Sequence, residues 1–314
     1  MQTTSEKEPS KYHEALSGND STSAGITGRR FAPSRPAMTS LLRYSLMLCS
    51  LFIVVACAVS PTGRKQLMLV SPDQAISASK NAYIQTLSSF EKSGKLDSNP
   101  QTTERVRAIT GRIIAQAIRL FPETSDWQWD IRVIDDPDSV NAWCMAGGKM
   151  AIYTGLIIKI QPTDDELAQV IGHEISHAIA NHTAEKMSVA MASQLGLATV
   201  AAASSGSEYG NATLAGASLA AKLALQLPNS RTAETEADRI GIEIAARAGY
   251  NPYAAISLWQ KMAKSGGANP PQFLSTHPNP ANRMSTLQWL APQMMPYYRQ
   301  PGPRPVYRLR SAQQ

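Results

Sequence analysis

Cysteine is scarce in this sequence, and its scarcity limits how the chain can be held together. Three of the 314 residues are cysteine, and two of them, Cys49 and Cys57, lie within or beside an apolar N-terminal stretch. If that stretch is a removable signal and Cys57 is modified, Cys144 has no partner and an intramolecular disulfide is excluded. No neighbouring residue in the sequence supports a nucleophilic role for Cys144, so we expect a small buried hydrophobic side chain on a strand.

The sequence also lacks an apolar run of the length that a membrane span requires. The run at residues 46–56 is shorter than the roughly 20 residues that a helix needs to cross a bilayer. With a start at Met38, it is typical of a secretory signal peptide over residues 38–56. The residues that end at Cys57 resemble a bacterial lipobox, which predicts a lipid on that cysteine. Residues 1–37 then form a disordered or mis-annotated leader, and a genuine long leader is the alternative.

The body of the chain carries no large excess of one charge sign. The net charge of +6 comes from residues 1–56 and from the segment after residue 298, where four arginines have no acidic counterpart. We therefore expect no nucleic-acid-binding face. Residues 292–314 are rich in proline and arginine, which predicts an extended, solvated tail. Contact of this tail with acidic lipid headgroups or with a partner is the alternative.

The most informative pattern in the sequence is H-E-x-x-H, from His173 to His177. Residues four apart lie on one face of a helix, so both histidines can bind one metal ion, usually zinc. Glu174 beside them is placed to accept a proton from a water molecule that the metal activates. A capping box at Thr163 and Glu166, followed by apolar residues at helical spacing, supports the helix. The alternative is a buried helix whose histidines are paired with neighbouring protein groups.

A catalytic zinc ion needs a third protein ligand. The extension H-E-x-x-H-x-x-G-x-x-H fails, because Ala180 and Thr183 occupy its glycine and final histidine positions. His182 is one position away, and we expect it near a helix end, directed away from the metal. Glu234 and Asp238 lie four apart on a predicted helix. Glu234 would bind the metal and Asp238 would accept a hydrogen bond from a ligand histidine, whereas a solvated, charged helix face is the alternative.

Together these motifs resemble peptidase family M48, whose members are zinc metallopeptidases. Glu234 corresponds to the first glutamate of the family's E-x-x-x-D element, which is its third metal ligand. Residues 141–156 resemble the family's N-A-F-A-x-x-G-G-x-I-x-x-x-x-G-L hairpin, and His277 with Arg283 resembles its T-H-P-x-x-x-x-R element. These elements occur in the family's order, and the resemblance covers residues 64–290.

The resemblance implies a mostly helical α+β domain of the gluzincin type, with a small sheet at the active-site cleft. We expect this domain at residues 71–291, after a linker at residues 57–70. An extended substrate would add to the sheet as another strand near Ala146, Gly147 and Gly148. An ordinary hairpin with a glycine turn is the alternative for these residues.

His277 is the fourth residue that the resemblance brings to the site. It would hydrogen-bond the oxyanion of the tetrahedral intermediate, or act as a fourth ligand that closes the site. A turn histidine before a proline is the alternative.

The activity that the resemblance implies is hydrolysis of internal peptide bonds, with one zinc ion per chain. Family members of this lipoprotein type act in the bacterial periplasm. We therefore expect misfolded or misassembled cell-envelope proteins as substrates, and anchoring to the outer membrane through Cys57. The residue after this cysteine is Ala58 rather than an aspartate, which in lipoproteins resembling those of enteric bacteria favours transport to the outer membrane. One alternative is a zinc-bound chaperone or assembly factor for outer-membrane proteins that rarely cleaves. Another is a binding lipoprotein with an inactive site, which the intact motif disfavours.

Residues 187–227 are rich in Ala, Ser, Gly and Leu, and they predict helices at 187–203 and 212–227. Their short length and polar residues disfavour membrane spanning. We expect a helical pair beside the cleft that gates access to it. Two amphipathic helices are also predicted, at residues 71–95 and 102–121.

Overall fold

The computed structural model describes residues 57–204, 228–265, 272–277 and 283–309. The predicted leader, the signal peptide and the second helix of the 187–227 segment lie outside these residues. Cys57 is the first described residue, and it begins a strand.

The described residues form a mostly helical α+β domain, which confirms the predicted fold class. Within them no helix is long and apolar enough to cross a membrane. The helices they contain are α1 (Pro72–Lys92), α2 (Pro100–Leu120), α3 (Asp164–Ile179), α4 (His182–Ser204), α5 (Arg231–Arg247), α6 (Ala254–Ser265), α7 (Gln272–Thr276) and α8 (Arg283–Tyr298). The strands are β1 (Cys57–Val59), β2 (Lys65–Leu67), β3 (Asp130–Ile134), β4 (Ala142–Met145) and β5 (Lys149–Tyr153).

Helix α3 carries the H-E-x-x-H pattern and begins at the predicted capping box. Thr163 Oγ1 accepts a hydrogen bond from the backbone N–H of Glu166 at 3.2 Å, and Glu166 Oε2 accepts one from the N–H of Thr163 at 2.9 Å. These bonds satisfy two N–H groups that have no partner within the helix. From Glu166 to Ile179 every residue of the helix is buried. The histidine pair therefore lies inside the domain rather than on its surface.

Strands β3, β4 and β5 form a three-stranded sheet in the order β3-β5-β4. Strand β3 runs parallel to β5 and strand β4 runs antiparallel to it, so that Ile131 and Cys144 both lie opposite Met150. The β4–β5 turn contains Gly147 and Gly148 at φ angles of +77° and +74°. Glycine adopts this left-handed region without steric cost, and the turn is the predicted glycine hairpin. Strand β4 lies at the edge of this sheet and packs beside α3.

A large apolar core surrounds α3 and joins it to the sheet and to the neighbouring helices. Ile152 of β5, Ile175 of α3, Ile244 of α5 and Leu287 of α8 are all buried within it. Each buried side chain of this size stabilises the folded state by about 1.5–3 kcal/mol relative to leaving it exposed. The core therefore holds α3 between the sheet and α5.

Helices α3 and α5 approach each other closely at two glycines. A Cβ atom on Gly172 would lie 2.8 Å from the carbonyl oxygen of Gly241, and a Cβ on Gly241 would lie 2.8 Å from the backbone nitrogen of His173. Any side chain at either position would push the helices apart. The contact brings the histidines of α3 within reach of the carboxylates of α5.

The segment that was expected to be a linker contains a β-hairpin. Strands β1 and β2 pair antiparallel, with Ala58 opposite Gln66. Gln66 is buried, and its Nε2 donates to the carbonyl oxygen of Ala180 at 2.7 Å. Polar contacts of this kind hold the hairpin to the domain. Because these contacts are polar, the apolar periodicity of the sequence does not predict the hairpin.

The C-terminal segment also differs from the solvated tail that its composition predicts. Helix α8 continues through two prolines to Tyr298. Beyond it, the Arg304 guanidinium donates to the carbonyl oxygens of Arg247 and Tyr298, both at 2.9 Å. The N–H of Tyr307 donates to the carbonyl oxygen of Gly111 at 2.9 Å. Carbonyl groups at helix C-termini lack partners within the helix, and Arg304 satisfies them.

Candidate metal centre

Four side chains that can bind a metal ion meet in the interior of the domain. His173 and His177 come from α3, Glu234 comes from α5, and His277 follows α7. His173 Nε2 lies 3.1 Å from His177 Nε2 and 3.2 Å from His277 Nδ1. Glu234 Oε1 lies 3.3 Å from His177 Nε2 and 3.0 Å from His277 Nδ1. The structure thus brings the three predicted ligands together and adds His277 to them.

These separations fit the ligand set of a bound metal ion. Tetrahedral zinc binds nitrogen and oxygen ligands at about 2.0–2.1 Å, which places neighbouring ligand atoms about 3.3 Å apart. The four potential ligand atoms all lie within 4.8 Å of one another. Two imidazoles and a carboxylate are also a common donor set for catalytic zinc. The separations and the donor set together indicate a metal site.

Asp238 and Arg283 lie behind the ligands. Asp238 Oδ1 is 3.0 Å from Nδ1 of His173, the ring nitrogen that faces away from the cluster. Arg283 is 2% exposed and donates to Glu234 Oε2 at 2.8 Å and to Asp238 Oδ1 at 2.5 Å. Its guanidinium carbon lies 3.7 Å from the centre of the Trp259 ring. One buried arginine thus holds two carboxylates of the same helix.

Glu174 faces a cavity beside the cluster. His177 and His277 are among the residues that line this cavity. Glu174 Oε1 lies 3.3 Å from His277 Nε2, yet among the described residues no group donates a hydrogen bond to it with acceptable geometry. Burial raises the pKa of Glu174, and His277 and His173 oppose the rise. A buried carboxylate oxygen without a donor suits a site where a water molecule or a substrate group supplies one.

Burial and neighbouring charges shift the pKa values of the ligands in different directions. Burial lowers the pKa of His177 well below its ordinary value. Burial and Arg283 also act to lower the pKa of His173, but the Asp238 and Glu234 carboxylates outweigh them and raise it to about 9. Burial opposes ionisation of Glu234, and the surrounding histidines nevertheless hold its pKa well below the usual range. Binding of a metal ion needs a ring nitrogen of each histidine that carries no proton, so a metal ion would compete with protons for this cluster.

His182 lies against the ligand His177, so the prediction that it is directed away from the metal was wrong. The Nδ1 atoms of the two rings are 2.7 Å apart, and His182 Nε2 is 3.1 Å from Glu236 Oε2. Asn181, with a φ of +56°, interrupts the helical conformation after α3, and His182 begins α4. Helical spacing counted from His177 misplaced this residue because α3 ends before it.

The predicted substrate residues Ala146, Gly147 and Gly148 lie in the turn beyond strand β4. A Cβ on Gly147 would lie 2.8 Å from the side chain of Ile76, and one on Gly148 would lie 2.2 Å from Trp129. The glycines therefore allow the turn to pack against its neighbours. The part of this hairpin that lines the cavity is residues 141–144.

Two further residues near the ligands were missed from the sequence. Arg64 of the β1–β2 hairpin donates from Nε to Glu236 Oε2 at 2.8 Å. Glu236 stands between Glu234 and Asp238 in the sequence but lies roughly half a turn around the helix from them. The four-residue spacing picks out residues on one helix face, so Glu236 was not predicted as part of the site. No local pattern marks Arg64, because its partners lie far along the chain.

Known proteins resemble this chain over more than half of its length. Metalloendopeptidase OMA1, mitochondrial, from Bos taurus is 33% identical over 281 residues, which are 84% of this chain and 53% of that protein. Mitochondrial metalloendopeptidase OMA1 from Saccharomyces cerevisiae is 38% identical over 183 residues, 55% of this chain and 50% of that protein. Beta-barrel assembly-enhancing protease from Yersinia pestis is 30% identical over 210 residues, 63% of this chain and 41% of that protein.

This chain spans about half the length, or less, of the relatives just named. The profile of peptidase family M48 matches residues 100–291, which include Glu174 and all four residues of the cluster. The fold, the cluster and the match agree, and the chain belongs to peptidase family M48.

Proposed function

We propose that this chain is a zinc metalloendopeptidase that cleaves internal peptide bonds of misfolded or misassembled cell-envelope proteins. The observation that carries the proposal is the position of Glu174. Its carboxylate is buried next to a cluster of metal-binding side chains and faces a cavity. A general base for hydrolysis needs this combination of a nearby metal site and room for water and substrate.

Each residue of the site has a role in this reaction. A zinc ion held by His173, His177 and Glu234 would acidify a water molecule and polarise the carbonyl group of the peptide bond. Glu174 accepts a proton from the attacking water and passes it to the leaving amine. Asp238 accepts a hydrogen bond from His173 and fixes the orientation of that ring.

His277 has two roles that exclude each other at any one moment. In the described arrangement its Nδ1 lies 3.0 Å from Glu234 Oε1, so it would join the ligands of a bound ion. A fourth protein ligand closes a zinc site, because catalysis needs an open position. Rotated out of the cluster, His277 can donate a hydrogen bond to the oxyanion of the tetrahedral intermediate.

The edge of strand β4 is the place where we expect the substrate backbone to bind. In the described sheet this strand pairs only with β5, and residues 141–144 line the cavity. An extended peptide can add to such an edge through backbone hydrogen bonds, which require no particular sequence. Unfolded chains offer extended segments and folded proteins rarely do. This mode of binding therefore favours misfolded substrates.

We also propose that the enzyme acts in the periplasm and is anchored to the outer membrane by a lipid on Cys57. A relative named beta-barrel assembly-enhancing protease supports envelope proteins as substrates. Labelling with a radioactive fatty acid in a bacterial host should mark the wild type and not Cys57→Ser, and the variant should leave the membrane fraction. Labelling of both forms would overturn the anchor and leave the peptidase assignment standing.

A zinc-bound chaperone or assembly factor is the second candidate. The closed arrangement of His277 favours it, because a site with four protein ligands binds metal without hydrolysing peptides. Both candidates use the same cavity, and only measurements of cleavage separate them.

The deciding experiment measures cleavage of an unfolded model protein by the full chain and by Glu174→Gln, with zinc quantified in both. The variant keeps the ligands and the side-chain volume but removes the base, so we expect zinc in both proteins and cleavage by the wild type alone. Glu243→Gln, at a partly exposed residue of α5 that pairs with Arg247, is the matched control and should cleave normally. Zinc in both proteins with cleavage in neither would favour the chaperone, and absence of zinc from both would overturn the metal centre.

A further inference from the structure

A chain of polar contacts leads from the β1–β2 hairpin to the metal ligand His177. Its Nδ1 lies 2.7 Å from Nδ1 of His182, whose Nε2 lies 3.1 Å from Glu236 Oε2. Arg64 Nε donates to the same carboxylate oxygen at 2.8 Å, and Thr62 Oγ1 donates to Glu236 Oε1 at 2.6 Å. His182 is 2% exposed and Glu236 is 3% exposed. The contacts thus cross the interior of the domain.

The donors and acceptors that each group offers determine the direction of the hydrogen bonds in this chain of contacts. With Nε2 of His177 directed at the cluster, its Nδ1 carries the proton and donates to Nδ1 of His182. His182 then carries its own proton on Nε2 and donates it to Glu236. An ionised carboxylate only accepts hydrogen bonds. Glu236 therefore sets the tautomer of both rings and leaves Nε2 of His177 free to bind a metal ion.

We propose that His182, Glu236 and Arg64 position the ligand His177, and that the N-terminal hairpin is thereby a part of the metal centre. They are positioning residues, since they act through His177 and not on the substrate. The inference rests on the metal site of the proposed function and is independent of what the enzyme cleaves. It gives each ligand histidine its own hydrogen-bonding partner, Asp238 for His173 and His182 for His177.

Arg64 is the point at which the hairpin is attached to this chain of contacts. Besides Glu236, its guanidinium donates to both carboxylate oxygens of Glu185 on α4, at 2.7 and 2.6 Å. Such two-pronged contacts fix direction as well as distance. Gln66 of the same hairpin reaches both the Ala180 carbonyl and Glu185. The hairpin therefore holds the start of α4, where His182 lies, against α5, where Glu236 lies.

The test measures metal affinity and leaves catalysis aside. Zinc affinity of the full chain is determined by competition with a chromophoric chelator for the wild type, His182→Phe and Arg64→Gln. Loss of a hydrogen-bonding partner behind a ligand typically weakens metal binding by about 10–100-fold. We expect that loss for His182→Phe and a smaller one for Arg64→Gln, which is remote from the metal and keeps both rings. The visible absorption bands of the Co²⁺-loaded protein should change in both variants.

Arg132→Gln is the matched control. Arg132 of β3 pairs with Asp97, and their side chains are 17% and 14% exposed, close to the 20% of Arg64. Removing this pair should lower the free energy of unfolding without altering zinc affinity or the Co²⁺ spectrum. Unchanged zinc affinity in the control thus separates positioning of the ligand from general stability.

The double variant tests the order of the contacts. In the His182→Phe background, Arg64→Gln should still lower the free energy of unfolding but weaken zinc binding no further, because its route to His177 is already cut. Additive losses of affinity would overturn the proposal, and so would wild-type affinity in His182→Phe. If that variant does not fold, an unchanged affinity in Arg64→Gln overturns it equally. No zinc in the wild type would overturn the proposed metal centre, and with it this inference.

Discussion

Gly172 of α3 and Gly241 of α5 are in backbone contact, since a Cβ on the first would lie only 2.8 Å from the carbonyl oxygen of the second. Gly172 directly precedes the ligand His173, and Gly241 follows Asp238 by three residues. Because neither residue has a side chain, α3 and α5 can approach closely. This approach sets the distance between the histidines of α3 and the carboxylates of α5. Interhelical distances of about 8–10 Å depend on the residues at the contact.

Gly241→Ala should weaken both the fold and the metal site. Extra atoms in a packed core cost about 1–3 kcal/mol, and the displaced α5 carries Glu234 away from the histidines. Urea unfolding and zinc competition measure the two effects. Gly94→Ala is the control, because open space surrounds Gly94 but its φ of +67° strains any side chain. It should lose stability and keep zinc affinity. Wild-type zinc affinity in Gly241→Ala would show that the site does not depend on the close contact.

Arg283→Met should strongly destabilise the metal-free protein. Removing the arginine leaves the Glu234 and Asp238 carboxylates buried without their common partner. Breaking a buried ion pair by removing one member typically costs about 3–5 kcal/mol. Because Zn²⁺ would supply positive charge to Glu234, the loss should be smaller in saturating zinc.

The control for Arg283 is Arg105→Gln, whose pair with Asp164 is 32% and 64% exposed. Exposed pairs contribute about 0–1 kcal/mol, so this variant should unfold almost as the wild type does. Equal losses for the two arginines, measured by urea unfolding, would contradict the structural role of Arg283.

Glu166→Gln should lower stability at neutral pH but not in acid. Burial raises the pKa of Glu166, and hydrogen bonds from Lys261 and Ser257 outweigh it and lower the pKa below its ordinary value. A carboxyl group with a lowered folded-state pKa stabilises the protein above its unfolded pKa of about 4.3, and this contribution is lost as the pH falls through the folded value. Glutamine can keep the capping contact with the N–H of Thr163 through its one carbonyl oxygen, whereas its NH2 group replaces the oxygen that accepts from Ser257, and the negative charge is lost.

The expected loss for Glu166→Gln is about 1 kcal/mol at pH 7, and it should shrink below about pH 4.3. Urea unfolding at several pH values measures it. Lys261→Met should reproduce the loss at pH 7, and the double variant should add little to it. A difference between wild type and Glu166→Gln that is independent of pH would contradict the assignment.

Arg304→Ala should release the C-terminal segment from the domain. The guanidinium satisfies carbonyl oxygens of Arg247 and Tyr298 at two helix ends, and hydrogen bonds from a charged group contribute about 1.5–3 kcal/mol each. We expect lower stability and faster proteolytic cleavage after residue 298. Arg308→Ala, in the same segment, should behave as the wild type. If the segment were a solvated tail, the two variants would be cleaved at the same rate as the wild type.

Helix α3 shows how far local information reaches. Its capping box, its apolar spacing and the four-residue separation of His173 and His177 are all written in adjacent residues. Such features depend on hydrogen bonds and side-chain directions within about one helical turn. The separation of Glu234 and Asp238 is local in the same way, and the pairing of the two helices followed from the resemblance to a family.

His182 and Arg64 show where local information ends. His182 lies five residues from His177, but a turn at Asn181 with positive φ separates the two helices, and the two rings are in contact. Arg64 lies 172 residues from Glu236 in the sequence and 2.8 Å from it in space. Contacts of this kind arise only when separate elements pack, and neither composition nor periodicity carries them.

The functional groups of the site can be predicted from the sequence: a helix with two imidazoles and a carboxylate on it, and a second helix with two carboxylates one turn apart. Both follow from the 3.6-residue period of the helix, which is a property of the backbone alone. The close contact of these helices at two glycines and the support of His177 by an N-terminal hairpin appear only in the folded domain. These depend on steric fit and hydrogen bonding between distant segments, which become defined only when the chain is folded.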